Sequence, residues 1–219
     1  MSDWFPLWLS LRVATLATLI AATVGIGCGY LLAKASFRGR GLLEAILSIP
    51  IVLPPTVLGY YLLTTLGVNS PVGRAWENIF GAPLVFTPTA AVVAASISAL
   101  PYVVRTSRAA IEEVDSRYEA VARVAGYPEW KVALVITLPV ARRGLLAGVA
   151  LGFARALGDF GATVMIAGNI PQRTQTLPIA VYDAVQSGDT STARTGSLVL
   201  AGIAVVVLLA VTQLSTRRS

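Results

Sequence analysis

Four stretches of the chain carry no charged residue: Val13–Ala33, Ala45–Gly73, Asn78–Val104 and Thr195–Thr216. Each is longer than the roughly 18 apolar residues that mark a candidate membrane-spanning helix. A fifth stretch, Gly144–Gly168, is apolar apart from Arg155 and Asp159. The pattern predicts five spans, at about Leu9–Ala33, Leu42–Leu66, Val85–Val104, Gly144–Gly168 and Thr195–Leu214. Helices are expected because a helix satisfies its own backbone hydrogen bonds where lipid offers none.

Composition points the same way. The 219 residues are 55% hydrophobic and 13% charged, against about 25% charged in a soluble domain. Too little polar surface remains to coat a soluble protein of this size. The first apolar run is longer than a signal-peptide core and follows Asp3 and Trp4 rather than a basic segment, so it reads as a retained helix. No tandem repeat, inverted repeat or low-complexity linker interrupts the chain. The expectation is one all-α transmembrane domain over residues 1–219 with a polar loop at about 112–139.

The net charge of +6 sharpens this into a topology. Twelve of the seventeen Lys and Arg residues fall on one side of five alternating spans: Lys34, Arg38, Arg40, Arg105, Arg108, Arg117, Arg123, Lys131, Arg142, Arg143, Arg217 and Arg218. The other side receives Arg12, Arg74, Arg173 and Arg194, with Arg155 inside a span. Basic loops stay in the cytoplasm. The polar loop and the C-terminus are therefore expected inside and the N-terminus outside, and the positive charge calls for no nucleic-acid partner. Chemistry is sparse. Cys28 is the single cysteine and there is no histidine, so no metal site, cofactor or catalytic residue is assigned. No phosphate-binding Gly-rich loop with its Lys-Ser/Thr ending is present, so the chain is not itself an ATPase.

The polar loop contains the stretch EAVARVAGYPEWKVALVITLP. Helix formers run from Val114 to Ala125, with Asp115 or Ser116 as N-cap. Gly126 fits a left-handed C′ position, Pro128 the start of a second short helix, and Pro139 the start of the next span. The expected shape is an elbow of two short helices that displays Trp130. Two uses stay open on physics alone, docking into a partner's groove or lying on the membrane surface.

Three other places stand out. Pro50, Pro54 and Pro55 interrupt the second span, either as a broken helix lining a pathway or as a packing kink. Arg155 and Asp159, four residues apart, form either a pore-side or subunit-interface polar cluster or an internal structural pair. Gly168–Pro178 (GNIPQRTQTLP) cannot continue a helix and offers Asn169, Pro171, Arg173, Thr174 and Thr176, either as a gate mouth or as a surface loop before a short helix at Leu177–Gln186. Gly25, Gly27 and Gly29 are expected to allow close helix packing.

The elbow resembles the cytoplasmic EAA loop of permease subunits in ABC importers, on Glu119, Ala122, Gly126 and the Leu138-Pro139 pair; Ala120 stands where many members have the glutamate. SIPIVLPPTVLGYYLL, LVFTPTAAVVAASISALPYVVRTSRAAIEEVD and GFARALGDFGATVMIAGNIPQRTQTLPIAVYDAV resemble the molybdate, tungstate and sulfate branch. The resemblance implies a multi-pass permease of a prokaryotic inner membrane. Its elbow residues Glu119, Ala122, Gly126, Trp130, Leu138 and Pro139 would engage a separate cytoplasmic ABC ATPase. Its pathway and gate would draw on Pro54, Pro55, Arg155, Asp159, Asn169, Pro171, Arg173, Thr174 and Thr176. Partners implied are two ATPase subunits, an extracytoplasmic oxyanion-binding protein and a second permease copy, with molybdate the first substrate and sulfate or tungstate the alternatives. A stand-alone channel or secondary carrier is the rival class; it would have no need of a docking elbow. An intramembrane enzyme would need a nucleophile and base that the sequence lacks.

Overall fold

The computed structural model describes residues 4–216. Asp3, Arg217 and Arg218 lie outside the described residues. In chain order the helices are α1 (Phe5–Lys34), α2 (Arg40–Val52), α3 (Pro55–Leu66), α4 (Pro71–Phe80), α5 (Pro88–Glu112), α6 (Ser116–Val124), α7 (Glu129–Val132), α8 (Leu138–Leu157), α9 (Gly161–Ala167), α10 (Leu177–Gln186) and α11 (Thr190–Thr216). A π-helical turn, Ala133–Thr137, joins α7 to α8. Among the described residues there is no strand.

Four helical segments are long and apolar enough to cross a membrane: α1, α5, the continuous Glu129–Leu157 segment and α11. The α2–α3 pair makes a fifth if it counts as one span, bent by 114°. The bend has a direct cause. Leu53 precedes Pro54 and Pro54 precedes Pro55, and a residue before proline is pushed out of the helical region. Both sit at extended ψ, 138° and 135°. Pro50 lies inside α2 without breaking it.

The fourth predicted span ends early. α8 stops at Leu157, and Gly158–Phe160 separates it from the short α9. The second elbow helix is likewise not free-standing: α7 is one turn and runs through the π-turn into α8. Pro128 is the N-cap of α7 rather than a residue inside it, and Pro139 lies within the first turn of α8. Pro178 does not oppose helix either, since it occupies the first turn of α10. One element matches none of the expected spans, elbow helices or the short helix after the loop: α4, capped at its start by Ser70, whose Oγ accepts from Gly73 N at 2.8 Å, and closed by Gly81 at φ +70°.

α5 is the central helix. Its Ala90, Ala91, Ala94, Ala95, Ala99 and Val103 are fully buried against α1, α8 and α9. Lipid supplies no hydrophobic drive between spans, so close packing of small residues must hold them together. A Cβ on Gly25 or Gly29 would come within 2.9 Å of Val103 or Ser107, whereas Gly27 meets nothing within 4 Å and has no part in the contact. α3 and α9 approach as closely: a Cβ on Gly59 would meet Met165 at 2.6 Å, and one on Gly161 would meet Pro55 at 2.8 Å. The two interrupted spans are thus packed together at their breaks.

Candidate functional site: the elbow, the breaks and the loop

The elbow begins where Asp115 caps α6, its Oδ1 accepting from Arg117 N at 2.9 Å. Ala125 ends the helix, and Gly126 turns the corner at φ +83°, a conformation that suits glycine. Arg123 braces that corner from α6 to α7: its Nε donates to Glu129 Oε1 at 2.7 Å and its Nη2 to Oε2 at 3.1 Å. This bidentate bond is charge-assisted on both sides and fixes the angle between the two helices. The Lys131 ammonium lies 4.4 Å from the Tyr127 ring centroid.

The polarity of the elbow is inverted. Glu119 is only 3% exposed. Its Oε1 accepts from Thr137 Oγ1 at 2.7 Å and meets Lys34 Nζ at 2.8 Å, while Arg123 Nη2 stands 3.7 Å from Oε2. Burial alone would push this carboxyl up. The bonds to Lys34 and Thr137, with the Lys34 and Arg123 charges, outweigh burial and leave its pKa below the ordinary value. The apolar side chains face the other way: Val124 is 90% exposed, Val121 71% and Trp130 67%, with Tyr118 and Leu134 also exposed. Ala122 is buried beneath them and Thr137 is fully buried. At the start of α8 Leu138 is half-buried and Pro139 is exposed. Sequence reading missed Lys34 and Thr137; a lysine ending one span and a hydroxyl two residues before Pro139 were the available signals.

A second buried carboxylate lies at the break after α8. The Asp159 side chain is fully buried. Oδ1 accepts from Arg155 Nη1 and from Ser98 Oγ, both at 3.0 Å, and Oδ2 accepts from Thr163 Oγ1 at 2.7 Å and Thr163 N at 3.1 Å. Asp159 therefore caps α9 while pairing with Arg155 of α8 and Ser98 of α5. Arg155 is partly exposed and helps to line a cleft of about 580 Å³ with Pro50, Pro55, Thr56, Tyr102 and Phe160. Pro54 stands at the adjoining break as the residue before α3.

The loop after α9 starts at Gly168, φ +75°, with Phe86 packed over it at 3.1 Å from where a Cβ would stand. Phe86 itself holds φ +59°, as does Gln172, and a bulky residue rarely does so. Phe86 was not singled out by sequence; only its place before the Thr87 cap of α5 marks it. Asn169 is exposed and bonded to its neighbours: its Nδ2 donates to Asp183 at 3.2 Å and its Oδ1 accepts from Gln175 at 2.9 Å. Pro171 and Arg173 are exposed. Thr174 and Thr176 are not available at the surface. Thr174 is fully buried and its Oγ1 accepts from Ile170 N at 3.2 Å within the loop; Thr176 is 4% exposed. Beyond the loop, Leu177 N donates to Ser10 Oγ of α1 at 2.7 Å.

Among the described residues the arrangement offers no catalytic constellation. It offers a tied polar clasp under an apolar patch at one end of α1, two breaks packed together, and a loop anchored at the other end of α1. The chain is similar to known proteins. The molybdenum transport permease ModB of Escherichia coli K12 is 40% identical over 194 residues, 88% of this chain and 85% of that protein. The putative molybdenum transport permease YvgM of Bacillus subtilis is 39% identical over 216 residues, 98% and 95% of the two chains. The sulfate transport permease CysT of E. coli K12 is 31% identical over 209 residues, 95% and 75%. A solved structure of the MetNI methionine ABC transporter in an inward-facing conformation matches with a TM-score of 0.74 at 18% identity, covering 96% and 94%, a likeness of fold alone. The family described as binding-protein-dependent transport system inner membrane component matches residues 25–218, and the chain belongs to that family.

Proposed function

We propose that the chain is the membrane subunit of an ATP-driven importer that carries a tetrahedral oxyanion, molybdate, into the cytoplasm. The observation that carries this reading is the inverted elbow. An element that hides its carboxylate and exposes two valines and a tryptophan is built to be covered. In this reading the cover is a groove on a separate ABC ATPase, since the chain has no nucleotide-binding loop of its own. An extracytoplasmic binding protein delivers substrate to the Gly168–Pro178 loop, and a second copy of the permease completes the pathway. The elbow lies inside, the N-terminus outside, and residues 1–219 act as one domain in the inner membrane.

The substrate assignment draws on the names of the relatives, and the sulfate permease among them supports sulfate as the second reading. Vesicles containing the permease, its ATPase and its binding protein test both. Molybdate uptake that depends on ATP and resists excess sulfate is expected. Uptake of sulfate in preference to molybdate would overturn the substrate, and uptake without ATPase would overturn the class. Single cysteines at Ser187 and Arg38, in a Cys28→Ala background, should label from opposite sides with an impermeant maleimide.

A further inference from the structure

α1 touches both ends of the candidate machinery. Its last residue, Lys34, meets Glu119 of the elbow at 2.8 Å. Near its start, Ser10 Oγ accepts from the backbone N of Leu177, the first residue of α10 after the loop, at 2.7 Å. Glu119 and Ser10 are each 3% exposed and Leu177 is fully buried, while Lys34 keeps partial contact with water. Between them α1 is one uninterrupted helix, about 36 Å from Ser10 to Lys34 at 1.5 Å per residue. Gly25 and Gly29 seat it closely on α5, where Val103 and Ser107 fill the space a Cβ would take.

A displacement of the elbow has two routes to the far loop. One follows the chain through the π-turn and α8, and it meets the break at Gly158–Phe160 before α9. The other passes from Glu119 to Lys34 and along α1, which has no break between its two end contacts. We propose that α1 is the transmission element between elbow and loop, with Lys34 and Ser10 as positioning residues at its two ends. The proposal rests on the import reading above. It gives Glu119 an inward role, in which the buried carboxylate ties the docked elbow to α1 while the exposed valines and Trp130 do the docking. A rigid helix with a contact at each end is one of the ways energetic coupling is carried over such a distance, and α1 has both contacts.

The test uses the full complex in vesicles, with molybdate as probe, and reads molybdate taken up per ATP hydrolysed. The wild-type complex is measured first; no molybdate-dependent ATP hydrolysis there would refute the importer reading itself. Given a working wild type, Lys34→Met and Ser10→Ala are each expected to lower the ratio at least fivefold, with ATPase co-purification and detergent melting held. Lys34→Arg should stay within twofold of wild type. The double variant should fall no further than the worse single, because one line is cut twice. Wild-type ratios in both single variants, or a double loss equal to the product of the two, would overturn the proposal. Should either variant fail to assemble, Lys34→Gln and Ser10→Cys weaken the same two ends more gently, and wild-type ratios in both would overturn it equally.

Discussion

Glu119 and Asp159 are both buried carboxylates paired with a cation, yet they are held differently. Asp159 receives four bonds, three of them from within four residues of itself, and its arginine is i,i−4 on the preceding helix. It fixes a local shape, the step from α8 to α9. Glu119 is held by Lys34, far away in sequence, by Thr137 in the π-turn, and at longer range by Arg123. Its lysine is the last residue of a span and keeps some contact with water. The difference separates a fixture from a tie: a short-range, saturated cluster makes one conformation, whereas a long-range bond to a flexible ammonium joins elements that can move together.

The largest expected effect tests the fixture. Asp159→Ala leaves Arg155 without its partner in a mostly buried site, and breaking such a pair costs about 3–5 kcal/mol. The detergent melting temperature should drop sharply, before any transport assay is informative. Glu119→Gln should cost less, about 1.5–3 kcal/mol for a charged hydrogen bond, because Lys34 can turn to water. A drop as large as that for Asp159→Ala would erase the distinction between the two carboxylates.

Acid sharpens the comparison further. The Glu119 pKa is lowered on folding, since the Lys34 and Thr137 bonds and the two cations outweigh burial. Its contribution to stability is thus fully present above the unfolded carboxylate value of about 4.5, and it is lost as pH falls through the still lower folded value. The binding of ATPase to permease should be flat between neutral pH and about pH 5 with respect to this group, and should weaken only below that. Glu119→Gln should remove this acid limb while leaving any other.

Gly126→Val comes next. A β-branched residue at φ +83° is strained by about 1–2 kcal/mol, at a corner whose Cβ would meet nothing within 4 Å. The membrane helices should keep their melting curve while co-purification of the ATPase falls. The smallest effect is expected at the loop, where Arg173→Glu places a negative charge beside the proposed route of an entering dianion. Like charges at an exposed rim repel by on the order of 1 kcal/mol. Molybdate uptake should slow at low salt and recover in part at high salt, with binding-protein affinity unchanged.

The spans were legible because charge-free runs of that length have few other uses, and α10 was legible to the residue because Thr176 and Pro178 mark its start. Gly126 was legible because a glycine between two helical patterns has a conformational reason to be there. What sequence did not reveal was direction. Glu119 reads as a surface carboxylate in a polar loop, and only the fold brings Lys34 and Thr137 beneath it. Thr174 and Thr176 read as hydroxyls at a mouth, but the loop curls around the first and buries the second. The fourth span ended early because nothing in one dimension says that Asp159 prefers to cap α9 over continuing α8. Pro54-Pro55 marked a break, but its partner break at Gly158–Phe160 is identified by the contact of Gly161 with Pro55.

The inverted elbow has a consequence for biosynthesis. In the proposed importer, Val121, Val124 and Trp130 stand exposed until the ATPase covers them. A permease made ahead of its partner therefore carries a sticky, chaperone-attracting surface from the moment of its synthesis. On that reading, production of the two subunits has to be matched in amount and in time, and an orphan permease becomes a substrate for degradation. The patch proposed to take the ATPase would then also set how much unassembled subunit a cell can tolerate.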